Sequence, residues 1–190
     1  MARKHGQVQD EQLDAEREVR RRLALAQIRQ YPDPVLRMRA NDVERFDDEL
    51  RSLVERMKIL MRDANGVGLA ATQIGVLQRV FVWQPSEAEE PAVVVNPALT
   101  ASGPETGTDE EGCLSLQGVL VPVERTAAVR LTAKDESGAD VELDLEGHDA
   151  RVVQHELDHL DGVLMLDRTT PEARREAMGI LRPRPMLDLR

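Results

Sequence analysis

His155-Glu156-Leu157-Asp158-His159 sets two imidazoles at i and i+4, one helical turn apart on one face, where both reach a single ion. The carboxylate of Glu156 starts beside them. A metal with two protein nitrogens, an open position for water and an adjacent base is a hydrolytic centre. The stretch therefore predicts a helix that carries chemistry. Its limits are set by its neighbours: Gly147 ends a preceding strand, Asp149 is expected to cap the helix, and Gly162 to stop it after Leu160. Val152, His155, Glu156 and His159 share one face, while Val153, Leu157 and Leu160 share a second that packs. His148 lies too near the helix start to join the pair and is read as structural or exposed.

Two histidines leave a metal short of a ligand. No histidine follows His159, so a thermolysin-like protease site would have to use Glu172 or Glu176. Upstream, Asp109-Glu110-Glu111-Gly112-Cys113-Leu114-Ser115 offers a thiol instead. Cys113 is the one cysteine of the chain, cannot form an internal disulfide, and suits a reducing compartment. Gly112 frees the backbone to bring that thiol against another element, and the residues after it are expected to continue as a strand. A lone buried cysteine is more often an inert small hydrophobe; its polar neighbours and the histidine helix argue for a ligand.

The 190 residues fit one domain without disulfides. A formal net charge of -10 argues against specific DNA binding, which calls for a basic footprint. Charge is uneven: residues 1–30 hold seven Lys or Arg against five Asp or Glu, while the stretch from Gln84 to Val123 holds seven acids and no basic residue. That stretch is read as a solvated acidic loop surface. No apolar run approaches the length of a membrane span and no secretory signal is evident, so a soluble, cytoplasmic protein is expected.

Outward from the histidine helix, residues 1–27 read as a charged N-terminal arm, helical or frayed, with Glu16/Arg20 and Glu18/Arg22 at helical spacing. The globular unit is placed at 28–168, starting near Ile28. Phe46, Leu50, Leu53, Val54, Met57, Leu60 and Met61 recur at three and four residues, predicting an amphipathic helix over 47–64, capped by Asp47 or Asp48 and stopped by Asn65-Gly66. Gly66-Val67-Gly68-Leu69-Ala70-Ala71-Thr72-Gln73 follows, small enough for close backbone approach; lacking Lys-Ser or Lys-Thr and following a helix, it is no phosphate loop.

The middle is β-rich, with short β-branched runs at Val80–Trp83, Val93–Val95, Leu120–Val121, Val129–Leu131 and Val141–Leu145. Their connections are too short for crossover helices, so antiparallel pairing is expected. Ala101–Gly107 reads as a loop. The fold class is α+β, a single domain with small antiparallel or mixed sheets packed around a central metal-binding helix. Residues 169–190 form a C-terminal helix, opened by Thr170-Pro171, and a tail.

Taken together, three stretches in order resemble the peptide deformylase family: Gly66–Gln73, Glu111-Gly112-Cys113-Leu114-Ser115 and Gln154–His159. Asp33–Arg37 and Val95-Asn96-Pro97 add to the likeness, which spans roughly Ile28 to Asp167. The resemblance implies that Cys113, His155 and His159 bind one divalent metal, typically Fe2+, with Zn2+, Ni2+ or Co2+ as substitutes. It implies hydrolysis of the N-formyl group from an N-formyl-methionyl peptide, with Glu156 as base and the Gln73 side chain and Leu114 backbone N–H as oxyanion donors. Gly68 and Val67 would border the substrate. Arg151, one turn before His155, is read either as bordering the side-chain pocket or as a salt-bridged surface arginine.

The segment Ser115–Glu124 departs from the family pattern, being apparently shortened and without a basic residue. A related metalloamidase for another N-acyl group and a silent binding protein are the competing readings. A transient ribosome contact through Arg182, Arg184 and Arg190 is the weaker reading of a tail otherwise taken as solvated.

Overall fold

The computed structural model describes residues 3–181, with the backbone alone described for residues 3–13. Helix α1 (Arg3–Leu25) leads through a 3-10 turn at Pro34–Arg37, started by Asp33, to α2 (Asp48–Asp63). The start of α2 is fixed by Asp47, whose carboxylate accepts the N–H groups of Glu49 and Leu50 at 3.1 and 3.2 Å and so satisfies two of the helix's free donors. Asn65 ends it in the left-handed conformation, φ 57°. Leu50, Val54, Met57, Leu60 and Met61 form its buried face.

Seven strands follow: β1 (Gly68–Ala70), β2 (Val80–Trp83), β3 (Ala92–Ala101), β4 (Thr106–Gly112), β5 (Leu120–Thr126), β6 (Ala128–Lys134) and β7 (Asp140–Glu146). Five make a sheet in the order β1-β2-β3-β6-β7, and β4 with β5 makes a separate ribbon. Every strand pairing is antiparallel, as short connections require. Helices α3 (Gly147–Leu160), α4 (Met165–Arg168) and α5 (Pro171–Leu181) complete the described chain.

The unbroken apolar run of β2 has a structural cause. Val80 and Val82 pack with the α2 face, whereas Phe81 and Trp83 pack with Val152, Val153 and Leu160 of α3. Alternate side chains thus leave the sheet on opposite sides, and both sides are covered by helix, so no polar face survives. In β3 the register shifts between Val95 and Ala98. Asn96 sits there at φ 52°, and its side-chain amide accepts from the Val43 N–H at 2.8 Å and donates to the Val43 carbonyl at 2.9 Å.

Several local expectations are corrected. The strand precedes Cys113 as β4, and a turn through Leu114–Gly118 follows it. The acidic stretch is mostly strand: β4 is exposed except at Glu111, so it lacks the apolar alternation that marks a half-buried strand. The loop after β3 shrinks to residues 102–105, because Thr106 and Gly107 already pair with Thr126 and Arg125. Asp149 does not cap α3; Glu146 holds the cap position without a side-chain bond, and Asp149 instead accepts the Ser86 hydroxyl at 2.6 Å. The last turn of α1 reaches the core through Ala24, and Ile28 beyond the helix joins the same cluster beside α2. At the other end Thr170 Oγ accepts the Ala173 N–H and Pro171 opens α5. Residues 182–190, including the three tail arginines, lie outside the described residues.

Candidate metal centre

α3 lies against β1 and β2 on one side and against β5 of the ribbon on another. Almost its whole circumference is therefore inside the protein: Val152, Val153, Glu156, Asp158, His159 and Leu160 are all buried. A division into one chemical and one packing face is too simple, because Asp158 belongs to neither and is still buried. β4 runs in beside the helix and delivers Cys113 directly after its last residue, Gly112. Cys113 Sγ lies 3.2 Å from His159 Nε2, and one ligand atom from each of Cys113, His155 and His159 falls within 4.8 Å of the others.

His155 is oriented from behind. Its Nδ1 is 3.0 Å from Glu111 Oε2, which leaves Nε2 for a metal. Glu111 is clamped in turn by Arg125, with two contacts of 2.9 Å, and by Arg151 at 2.8 Å. Arg125 also reaches Asp158 at 2.5 Å, and Asp158 accepts from Arg168 at 2.7 Å. Burial would raise the Glu111 carboxyl, but the bonds from His155 and Arg125 hold it well below the usual range. Burial would lower His155, yet its contacts with Cys113 and Glu111 hold it well above the ordinary value; burial and the neighbouring His155 push His159 well below.

Glu156 is 4% exposed, and its carboxyl is pushed up to about 7, chiefly by burial. Its carboxylate occupies the space a side chain at Gly68 would need: a Cβ there would stand 2.3 Å from Glu156 Oε1. The glycine of this segment thus makes room for the acid itself. Gln73, 1% exposed in a 3-10 turn, anchors its Oε1 on the Ala70 N–H at 2.8 Å and donates Nε2 to Ser115 Oγ at 3.1 Å, with Cys113 Sγ 3.6 Å away. Leu114 follows Cys113, and its carbonyl accepts from Gln30 Nε2 at 3.0 Å.

A cavity of about 840 Å³ opens on these groups. Val67, Gly68, Leu120, His148, Arg151 and Val152 are among its walls. Val67 is 48% exposed at the opening. Arg151 borders the cavity but has its guanidinium committed to Glu111 and to the carbonyls of Val123 and Gly107, each at 2.8 Å. Sequence reasoning missed Glu111, Arg125 and Ser115. For Glu111 a signal existed: it stands two residues before Cys113, so in a strand both point to one face. Arg125 carries no such local signal.

The donor set fits a metal. A thiol and two imidazoles converge with room for a fourth ligand, and the buried Oε2 of Glu156 has no protein partner among the described residues, where buried oxygens are normally satisfied. Two helix-borne imidazoles meeting a thiol from the end of β4, with a buried carboxylic acid beside them, are the donor set of a metal-dependent hydrolase. The family model for polypeptide deformylase matches residues 25–175. The chain belongs to the polypeptide deformylase family, metal-dependent enzymes that remove the N-formyl group from new polypeptides.

A peptide deformylase of Thermotoga sp. (strain RQ2) is 46% identical over 147 residues, 77% of this chain and 88% of that protein. Peptide deformylase 1 of Corynebacterium efficiens is 44% identical over 162 residues, 84% of this chain and 96% of that protein. The crystal structure of a peptide deformylase from Legionella pneumophila superposes with a TM-score of 0.77 at 41% identity, covering 81% of this chain and 91% of that one.

Proposed function

We propose that the catalytic unit spans residues 28–168 and deformylates N-formyl-methionyl peptides with one Fe2+ held by Cys113, His155 and His159, Zn2+, Ni2+ or Co2+ being able to substitute. The observation that carries this reading is the convergence of the three ligand atoms within 4.8 Å beside a buried glutamic acid. A donor set of two nitrogens and one sulfur accepts each of these metals; ferrous iron rests on the family resemblance. When bound, the ion acts as a Lewis acid toward the formyl oxygen and makes water a better nucleophile.

Glu156 takes the proton of the attacking water and passes it to the departing amine. Its upward shift to about 7 suits a group that must both accept and return a proton near neutrality. Gln73 Nε2 and the backbone N–H of Leu114 donate to the oxygen that becomes negative. Gln73 is held for this by its own Oε1 contact with Ala70. Glu111, clamped by Arg125, fixes the His155 ring. Val67, Gly68 and Arg151 border the substrate.

The proposed site of action is the cytoplasm, where new chains emerge; no helix among the described residues is long and apolar enough to cross a membrane. The test is anaerobic purification with metal analysis, then formate release from formyl-methionyl and acetyl-methionyl peptides. A full metal site with no formate from the formyl peptide would sink the reading.

A further inference from the structure

We propose that α1 is the outer wall of the substrate groove and that Arg21 binds backbone carbonyls of the substrate residues after the formyl-methionine. This rests on the formyl-peptide reading above. Glu18, Arg21 and Leu25 line the same cavity as Cys113, His155 and Glu156. At i, i+3 and i+7 they form one helix face. Glu18 and Arg21 precede residue 25, where the family match begins, so these two residues of the wall lie outside the part of the chain that matches the family model.

The wall is fixed relative to the metal ligands. Leu25 and Leu114 pack on the same core cluster. Just past α1, Gln30 Nε2 donates to the Leu114 carbonyl at 3.0 Å and the Tyr31 N–H to the Ser115 carbonyl at 2.9 Å, so the segment after the helix grips the turn that carries Cys113.

The cavity, about 840 Å³, stands high in the range of roughly 300–1,000 Å³ that holds a drug-sized ligand. A formyl-methionyl group leaves part of it for the residues that follow. Among the described residues two arginines line it. Arg151 is committed to Glu111 and two carbonyls, whereas Arg21, 42% exposed, has among the described residues only a 3.6 Å contact with Glu18. Arg21 therefore has donors to offer. Glu18, Asp109 and Glu110 line the same cavity and disfavour an acidic substrate side chain as the partner. An enzyme acting on new chains of varied sequence is served by gripping the backbone they share.

The experiment is steady-state kinetics of the full chain and its Arg21→Ala and Arg21→Lys variants on formyl-Met-Ala, formyl-Met-Ala-Ala and formyl-Met-Ala-Ala-Ala. A parallel set carries Glu or Lys at the third residue. Arg21→Ala should raise KM roughly 3- to 10-fold for the longer peptides whatever their third residue, as loss of a partly exposed charge-assisted bond would. It should leave kcat and the dipeptide KM unchanged, and Arg21→Lys should recover part of the loss. An unchanged KM at every length, an equal change at every length, a fall in kcat, or an effect confined to the Glu peptides would overturn the assignment. Wild-type turnover of the dipeptide keeps the two readings apart: if it is absent both fall, and if it is present with Arg21→Ala silent only the wall does.

Discussion

Glu111 Oε2 lies 3.0 Å from His155 Nδ1, so the ring of a candidate metal ligand on α3 is oriented by a carboxylate on β4, two residues before the Cys113 thiol. β4 thus carries the group that aims one candidate ligand and leads directly into the other, Cys113. Glu111→Gln should keep the fold and weaken metal affinity roughly 10- to 100-fold, the usual cost of disturbing a partner of a ligating histidine. Chelator competition measures it. Unchanged affinity would remove Glu111 from the centre.

Glu111→Ala goes further, leaving Arg125 buried beside an empty space with Asp158 as its remaining partner. Breaking a buried pair from one side costs about 3–5 kcal/mol. Urea unfolding of the metal-free protein should register the loss, and a midpoint equal to wild type would show that water replaces the carboxylate.

Glu156→Ala should retain a full complement of metal while formate release falls by roughly 10²- to 10⁴-fold, the range for loss of a general base. Cys113→Ala should lose the metal itself. Metal analysis and turnover on the same preparations separate the two, and wild-type turnover in the Glu156 variant would refute the base assignment.

Gly68→Ala places a methyl group 2.3 Å from the present position of Glu156 Oε1, and the carboxylate must move. Turnover should fall sharply while metal content stays full. A near-wild-type kcat would mean that the acid has no fixed position to lose.

Metal removal should destabilise the chain. A ligand that binds only the folded state adds about 4 kcal/mol at a thousand times its dissociation constant. The melting temperature should therefore rise with free metal concentration in the wild type and stay flat in Cys113→Ala.

Asp167 gives a pH dependence away from the metal. Burial would raise its carboxyl, but Arg37 and the Leu164 N–H more than offset this and hold it below its ordinary value of 3.8. A depressed folded-state value means stability that is present above pH about 4 and lost as the pH falls through the lower, folded-state value. Asp167→Asn should flatten that acid limb of the stability curve, and an identical limb in both proteins would contradict it.

Much of this was legible in residue order. The period of α2, its Asp47 cap and its Asn65 stop are local features, and local features survive into the fold. Cys113, His155 and His159 could be picked out as candidate ligands because a thiol and a paired-histidine helix are chemically scarce, and the fold brings the three together. Glu111 was hidden among seven acids in a stretch without a base, since only its partner Arg125, 14 residues on, distinguishes it from its solvated neighbours. Asp149 has every property of a cap and bonds Ser86 instead, a choice made by tertiary proximity. The role of α1 is of the same kind: nothing between Arg3 and Leu25 announces that one of its faces borders a cavity.

Trp83 is the one tryptophan of the chain, 1% exposed on the α3 side of β2. Its indole packs in the cluster that seats the helix carrying both histidines, so its emission is a native, label-free optical reporter of whether that helix is in place. The enzyme comes with its own spectroscopic probe, on the opposite side of the sheet from α2 and without any engineered dye.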